Sequence, residues 1–210
     1  MECAVRPMGI IKKLSAIMGN TTAYRLWQAP FARAKLAPVL LHNDFDKIQR
    51  VLDVGCGPGT NCRFFEKSDY TGFDINPSYI RYAQEKYNRN FVVQDVCTFE
   101  ASDTERFDFI LLNSLLHHLS DDDTHRILGQ LGKLVRPGGF VHIVDLVLPD
   151  RRGIPRWLAE SDRGDFPRPL PAWESIFTTH FRTSVFEPYP IKLFGIDLWN
   201  LVYFKGEPKS

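Results

Sequence analysis

From Arg50 onward the chain alternates between short apolar runs and stretches of helical period. Val51 to Val54, Tyr70 to Asp74, Phe91 to Gln94, Phe107 to Asn113 and Phe140 to Val147 read as strands. The fourth run is almost unbroken in apolar residues, as a strand buried on both faces must be. Between the runs, Thr60 to Phe65 starts a first helix, and Pro77-Ser78 opens a second that runs to about Tyr87. Asp121 to Asp123 supply a cap and first-turn charge for a third, which is expected to stop near Pro137-Gly138-Gly139. Strands and helices in this rhythm predict an α/β fold, a Rossmann-like doubly wound sheet of about seven strands.

Both ends of the chain depart from that rhythm. Residues 1 to 47 lack strand-like alternation, and Tyr24, Trp27 and Phe31 recur at helical spacing with Pro30 as a break. They read as an N-terminal helical cap or lid, ahead of a main domain from 48 to 210. Within that cap, Ile10, Ile11, Leu14, Ile17 and Met18 share one helical face, with Lys12 and Lys13 beside them. Two readings stand: a helix packed on the domain or closing over a ligand, and an amphipathic helix lying on a membrane surface. Residues 149 to 171 read as a substrate-side insertion, Pro171 to Phe181 as a helix, and Thr183 to Pro188 and Leu198 to Phe204 as strands joined near Gly195.

The chemistry concentrates in Val51-Leu-Asp-Val-Gly-Cys-Gly-Pro-Gly-Thr60. A strand ends at Asp53-Val54, and Gly55, Gly57 and Gly59 follow at alternate positions, where a side chain would block close approach of backbone to ligand. Dinucleotide-binding turns read G-x-G-x-x-G instead. These ten residues resemble the first motif of the class I S-adenosylmethionine-dependent methyltransferases. That family ends its sheet with a hairpin whose last strand is inserted antiparallel, as the tail from Thr183 would allow. The resemblance runs from about residue 50 to the end, with its specific motifs between 51 and 147.

The resemblance implies a site for S-adenosylmethionine, with S-adenosylhomocysteine as product. Asp53 would lie near the ligand's cationic end, beside the backbone of Gly55, Cys56, Gly57 and Gly59. Asp74 would take both ribose hydroxyls, since a carboxylate offers two acceptor oxygens, and Ile75 would lie on the adenine face. Asp95 and Val96 would meet the adenine edge and amino group. Asn113 would offer its carbonyl to the methionine end, and Tyr24 completes the cofactor set from the cap. Asp53, Asp74 and Asp95 each close a successive strand, which sets them apart from ordinary helix caps. Cys56 and Cys62 read as small packing residues, and Asp108 as a partner for local backbone groups.

Methyl transfer from an activated sulfonium needs alignment above all, and a hydroxyl acceptor also needs a base. The segment Asn113-Ser-Leu-Leu-His-His-Leu-Ser-Asp121 resembles the L-H-H-L stretch of small-molecule members grouped as type 11 methyltransferases, whose first histidine often faces the acceptor. His117 is therefore expected toward the pocket and His118 in a structural hydrogen bond; both being structural stays open. His142 reads as a core or interface histidine, and Asp145 as a second base or acceptor-binding candidate. No Asn-Pro-Pro-Tyr-like segment follows the fourth strand, which argues against the amino-directed nucleic-acid and protein-glutamine branches. Arg151, Arg152, Arg156, Arg163 and Arg168 could grip an acceptor anion, or simply pair with Asp150, Glu160, Asp162 and Asp165. Tyr24, Trp27 and Lys35 on one side and Trp157, Phe166 and Trp173 on the other would wall the acceptor pocket.

Composition narrows the partners. A formal net charge of +1 creates no global field toward nucleic acid or a charged membrane. The four cysteines, Cys3, Cys56, Cys62 and Cys97, have no C-x-x-C pairing, so no metal site is indicated and reduced thiols in a cytoplasmic protein are expected. The expected activity is therefore methylation of a small-molecule acceptor, most readily at oxygen. A methyltransferase-like binding module without turnover, or an enzyme of lipid or lipid-linked glycan acceptors, are the alternatives. Membrane contact stays open, and the oligomeric state is not fixed by the sequence.

Overall fold

Among the described residues, seven strands form one sheet: β1 (Arg50–Val54), β2 (Asp69–Asp74), β3 (Asn90–Val93), β4 (Phe107–Asn113), β5 (Val135–Val147), β6 (Phe181–Leu193) and β7 (Ile196–Pro208). Their order is β3-β2-β1-β4-β5-β7-β6. The first five run parallel, and β7 lies antiparallel between β5 and β6. The computed structural model describes residues 31–100, 106–161 and 164–209, so Tyr24, Trp27, Arg163 and the amphipathic stretch from Met8 to Gly19 lie outside the described residues.

Six helices flank the sheet within that range: α1 (Ala32–Lys35), α2 (Ala37–Leu41), α3 (Pro77–Lys86), α4 (Asp121–Leu134), α5 (Ile154–Ser161) and α6 (Leu170–His180). Leu36, Val39, Phe65, Ile80, Ala83 and Ala159 cover one face of the sheet. Leu128, Leu131, Trp173 and Phe177 of α4 and α6 cover the other. Double coverage explains why β4 is apolar almost throughout. The chain leaves β1 in one direction for β2 and β3, then crosses to β4 on its other side. This reversal is a topological switch point beyond the carboxyl ends of β1 and β4, the place where open α/β sheets hold ligands.

Three expected boundaries move. After β1 there is no full α-helix but a 3-10 turn, Thr60–Phe64, closed by Cys62 N–H to Gly59 O (3.3 Å) and Phe65 N–H to Cys62 O (3.1 Å). Thr, Asn and Cys are weak helix formers, and β2 already begins at Asp69. The helix expected to reach Pro137 ends at Leu134, because Pro137 cannot continue a helix and pushes Arg136 into extended backbone. Val135 pairs with Phe107, a bulge follows, and pairing resumes at Phe140 with Phe109. The terminal hairpin is far longer than the two short strands expected. Pro188 and Pro190 sit inside β6, which tolerates them because it is the sheet edge. Phe194 and Gly195, both at positive φ, form its two-residue turn.

Candidate active site

The glycine loop folds back on β2. Gly55 N–H and Cys56 N–H both donate to Phe73 O, at 2.8 and 2.9 Å. Asp74, closing β2, accepts Gly57 N–H on Oδ2 and Asn76 N–H on Oδ1, each at 2.8 Å. The carboxylate thereby fixes the loop and keeps lone pairs for a ligand. Gly57 has φ +54°, and a Cβ built there would meet nothing within 4 Å, so the loop presents bare backbone to open space. Gly59 is packed instead: its Cβ would fall 2.7 Å from the Phe91 ring. Ile75, next to Asp74, is 75 % exposed.

Asp53 is wholly buried under the loop. Its Oδ2 accepts from Tyr70 Oη at 2.6 Å and Asn61 Nδ2 at 3.1 Å, while Oδ1 has no partner. Burial drives its carboxyl up to about 7, against the downward pull of the Tyr70 and Asn61 hydrogen bonds. A buried acceptor lacking a donor is costly to the protein alone and suits a site that receives a cationic donor. From Asn61 a polar line continues: Asn113 Nδ2 lies 3.4 Å from Asn61 Oδ1, Ser114 Oγ donates to Asn113 Oδ1, and Lys35 Nζ donates to Ser114 Oγ. Ser114 holds φ +58° where β4 ends, an uncommon conformation for a residue other than glycine.

Asp95 is exposed beyond the end of β3, where its Oδ1 accepts Cys97 N–H at 2.9 Å. The side chain of Val96 enters the core, which leaves only its backbone for an adenine edge. The Cys56 thiol is pushed up by burial and by the nearby Asp53 and Asp74, as befits a packing residue. These donor and acceptor positions fit S-adenosylmethionine: open backbone at Gly57, a diol acceptor at Asp74, an exposed apolar surface at Ile75 and an orphaned anion at Asp53.

On the acceptor side it is His117 that is buried in a side-chain hydrogen bond. His117 is 3 % exposed and its Nδ1 lies 2.6 Å from Asp145 Oδ1, whereas His118 is exposed beside it, ring centroids 4.1 Å apart. Both belong to the 3-10 turn Leu116–His118, in which successive side chains diverge by about a third of a turn. Asp145 is not an open second base. Its Oδ2 accepts Leu116 N–H and its Oδ1 accepts Leu146 N–H, both at 2.7 Å, besides the bond to His117. Burial would raise its carboxyl, but His117 and these two amides overcome that and hold it below the usual range.

His142 is a core residue as expected, stacked 3.7 Å from Phe109 and bonded through Nδ1 to Tyr203 Oη. Of the five arginines, Arg151 and Arg152 are exposed, Arg156 pairs with Glu160, and Arg168 is buried with its donors turned inward. Trp173 is core, while Trp157 and Phe166 keep exposed faces. Asn61, Tyr70 and Ser114 were not anticipated. Tyr70 opens a strand in which only its phenol sets it apart, and Ser114 carries no signal until its backbone angle is seen.

A doubly wound sheet with a glycine loop at its switch point, and Asp53, Asp74 and Asp95 at or just beyond the ends of β1, β2 and β3, is the arrangement of a nucleoside-cofactor-binding domain. Residues 51–139 match a methyltransferase domain family. An uncharacterized methyltransferase of Mycobacterium tuberculosis (strain ATCC 25618 / H37Rv) is 37% identical over 109 residues, 50% of this chain and 54% of that one. The chain thus aligns with about half the length of this curated relative. A ubiquinone biosynthesis O-methyltransferase of Mesorhizobium japonicum is 29% identical over 103 residues, 46% of this chain and 41% of that one. The solved N-methyltransferase NodS of Bradyrhizobium japonicum, in complex with S-adenosylhomocysteine, has the same fold. Its TM-score is 0.68 at 18% identity, covering 93% of this chain and 97% of that one.

Proposed function

We propose that this chain binds S-adenosylmethionine beyond the ends of β1, β2 and β3 and catalyses transfer of its methyl group to a small-molecule acceptor, at oxygen. The observation that carries the reading is the Gly57–Asp74 pair: bare backbone at positive φ before open space, locked by a carboxylate with acceptor capacity left over. The cofactor supplies the activated methyl group; Asp74 and Ile75 hold the nucleoside, with Asp95 and the Val96 backbone at its base. Asp53, through Asn61 and Asn113, faces the amino-acid end.

His117 is the general base for a hydroxyl acceptor. With Asp145 held ionised, the bond between the two puts a ring proton on His117 Nδ1 and orients the ring. Asp145 orients rather than accepts the proton. The named O-methyltransferase relative supports oxygen, although NodS, an N-methyltransferase, shares the fold. Arg151 and Arg152, exposed after β5, lie on the acceptor side of this reading.

Isothermal titration with S-adenosylmethionine and S-adenosylhomocysteine, with Asp74→Ala as control, tests the cofactor site: micromolar binding abolished by the change is expected, and no binding by folded wild type refutes it. Transfer of a labelled methyl group to a panel of phenols and alcohols then tests His117→Ala, which should lose turnover and keep cofactor affinity. A second reading, a lipid or lipid-linked acceptor, is favoured by the hairpin tip. Leu193, Phe194 and Ile196 are 42%, 96% and 55% exposed there. The tip also projects past the end of β5, whose last residue, Val147, pairs with Asn200. Sedimentation with phosphatidylglycerol vesicles tests it, and a protein that stays in the supernatant counts against it.

A further inference from the structure

The loop that carries His117 is tied down at one backbone group after another. Leu116 N–H donates to Asp145 Oδ2 (2.7 Å), and Leu116 O accepts from Arg168 Nη1 (3.0 Å). His117 O accepts from Phe166 N–H (3.0 Å), and Leu119 O accepts from Arg168 Nη2 (2.7 Å). Two of these four ties come from one side chain. The sequence offered Arg168 as a candidate for gripping an acceptor anion, but its donors are committed within the protein. Nε reaches Asp121 Oδ1, Nη1 also reaches Phe166 O, and Nη2 lies 3.4 Å from Thr124 Oγ1.

The guanidinium lies over the Trp173 ring, 4.8 Å from its centroid, and Trp173 Nε1–H donates to Leu146 O at 2.8 Å. Leu146 follows Asp145, so the two anchors of His117 are themselves joined through Arg168 and Trp173. Approach on the other side is equally close: a Cβ at Gly164 would fall 2.2 Å from His117 Cδ2. Only a planar fork of fixed geometry can hold two carbonyls and a carboxylate at once while stacking on an indole; a lysine ammonium is a point charge that cannot.

We infer that Arg168 is a positioning residue for His117: by holding the carbonyls of Leu116 and Leu119, on either side of the histidine pair, it keeps His117 Nδ1 on Asp145 and fixes where the opposite ring nitrogen points. The inference rests on the assignment of His117 as the base. Displacement of a reacting group by about an ångström can cost ~100-fold in rate, so such bracing has a catalytic purpose. The carbonyl bonds, rather than the ion pair with Asp121, carry the effect, because that carboxylate is 74% exposed and screened by water.

The test uses the full chain labelled with 15N-histidine, reading the Nδ1 proton of His117, assigned by its loss in His117→Gln. In wild type that proton is expected as a downfield resonance protected from exchange with water. Arg168→Lys should speed its exchange by at least ~10-fold while far-ultraviolet circular dichroism and affinity for S-adenosylhomocysteine stay as in wild type. Asp121→Asn should leave the resonance unchanged. If Arg168→Lys folds and the protected resonance persists, the inference is overturned. Should the variant unfold alone, the measurement is repeated with saturating S-adenosylhomocysteine, which adds stability by mass action. A variant unfolded in both conditions assigns Arg168 to the fold alone and likewise overturns it. Failure of wild type to bind S-adenosylhomocysteine would instead refute the cofactor site, and the proton comparison without ligand would still stand.

Discussion

His117 Nδ1 and Asp145 Oδ1 lie 2.6 Å apart in a region from which water is excluded. The pair joins the loop after β4 to the end of β5, two neighbouring parallel strands of the sheet. Asp145 also takes the amides of Leu116 and Leu146, so its carboxylate is an anchor for three donors at once.

Asp145→Ala should therefore be severely destabilising, by about 3–5 kcal/mol, since it strands buried partners. In a domain of this size that is ~10 °C in melting temperature. The carboxyl is held below its ordinary value in the folded state, so its stabilisation is present above the unfolded value and lost as pH falls through the folded one. Melting curves at pH 7 and pH 3 check both points: the gap between wild type and Asp145→Ala should narrow in acid.

Asp53 has the opposite sign. Its folded value of about 7 exceeds the unfolded one, so its contribution is favourable at low pH and lost as pH rises from about 4 through 7. Asp53→Asn should raise stability at pH 8 by about 1–3 kcal/mol, because an unpaired buried charge disappears. Cofactor binding by wild type near pH 6.5 should release a proton as a cationic partner draws the carboxyl down. Titration calorimetry in phosphate and in Tris would show this as a difference in apparent enthalpy, absent in Asp53→Asn.

The parallel half of the fold was legible because buried strands and glycine turns leave strong local patterns. β4 matches its expected bounds, and Asp108 does satisfy backbone groups, those of Gln49 and Arg50. The hairpin was underestimated because Pro188 and Pro190 read as breaks, whereas edge position is a tertiary property. The burial of His117 rather than His118 was hidden for a similar reason. Adjacent histidines are equivalent in sequence until the pitch of the turn and the register of Asp145 against Val202 decide which one is buried. Arg168 looked like one cation among five, and only its approach to Leu116 and Leu119 separates it from the rest.

His142 should act as an acid-sensitive element of the core. Burial first, then Lys205, hold its imidazole well below the ordinary value, so it stays neutral in the fold and must gain a proton on unfolding. Its contribution is present above the unfolded value and is lost as pH falls below about 6.5. Replacing it by glutamine, which stays neutral and can still meet Tyr203 Oη, should reduce the slope of stability against pH by up to ~1.4 kcal/mol per unit in that range. Urea titrations at pH 7.5, 6 and 5 would measure it, and parallel slopes in the two proteins would refute it.

Gly57 and Gly59 should separate binding from folding. Alanine at Gly57 keeps the N–H that Asp74 accepts, and its Cβ meets nothing within 4 Å, so only the left-handed backbone is penalised, by about 1–2 kcal/mol. That Cβ would stand in the space assigned to the cofactor, so affinity for S-adenosylhomocysteine should fall by at least ~10-fold, or 1.4 kcal/mol. Alanine at Gly59 would drive its Cβ to 2.7 Å from the Phe91 ring and 2.9 Å from Ala83 Cβ. Overpacking adds to the backbone strain there, for about 2–5 kcal/mol in all. Melting temperature and titration calorimetry on both variants check the contrast. Gly57→Ala should be folded and binding-deficient, and Gly59→Ala should be unstable first. A Gly57→Ala protein that binds as wild type does would mean that the ligand does not pass over this loop.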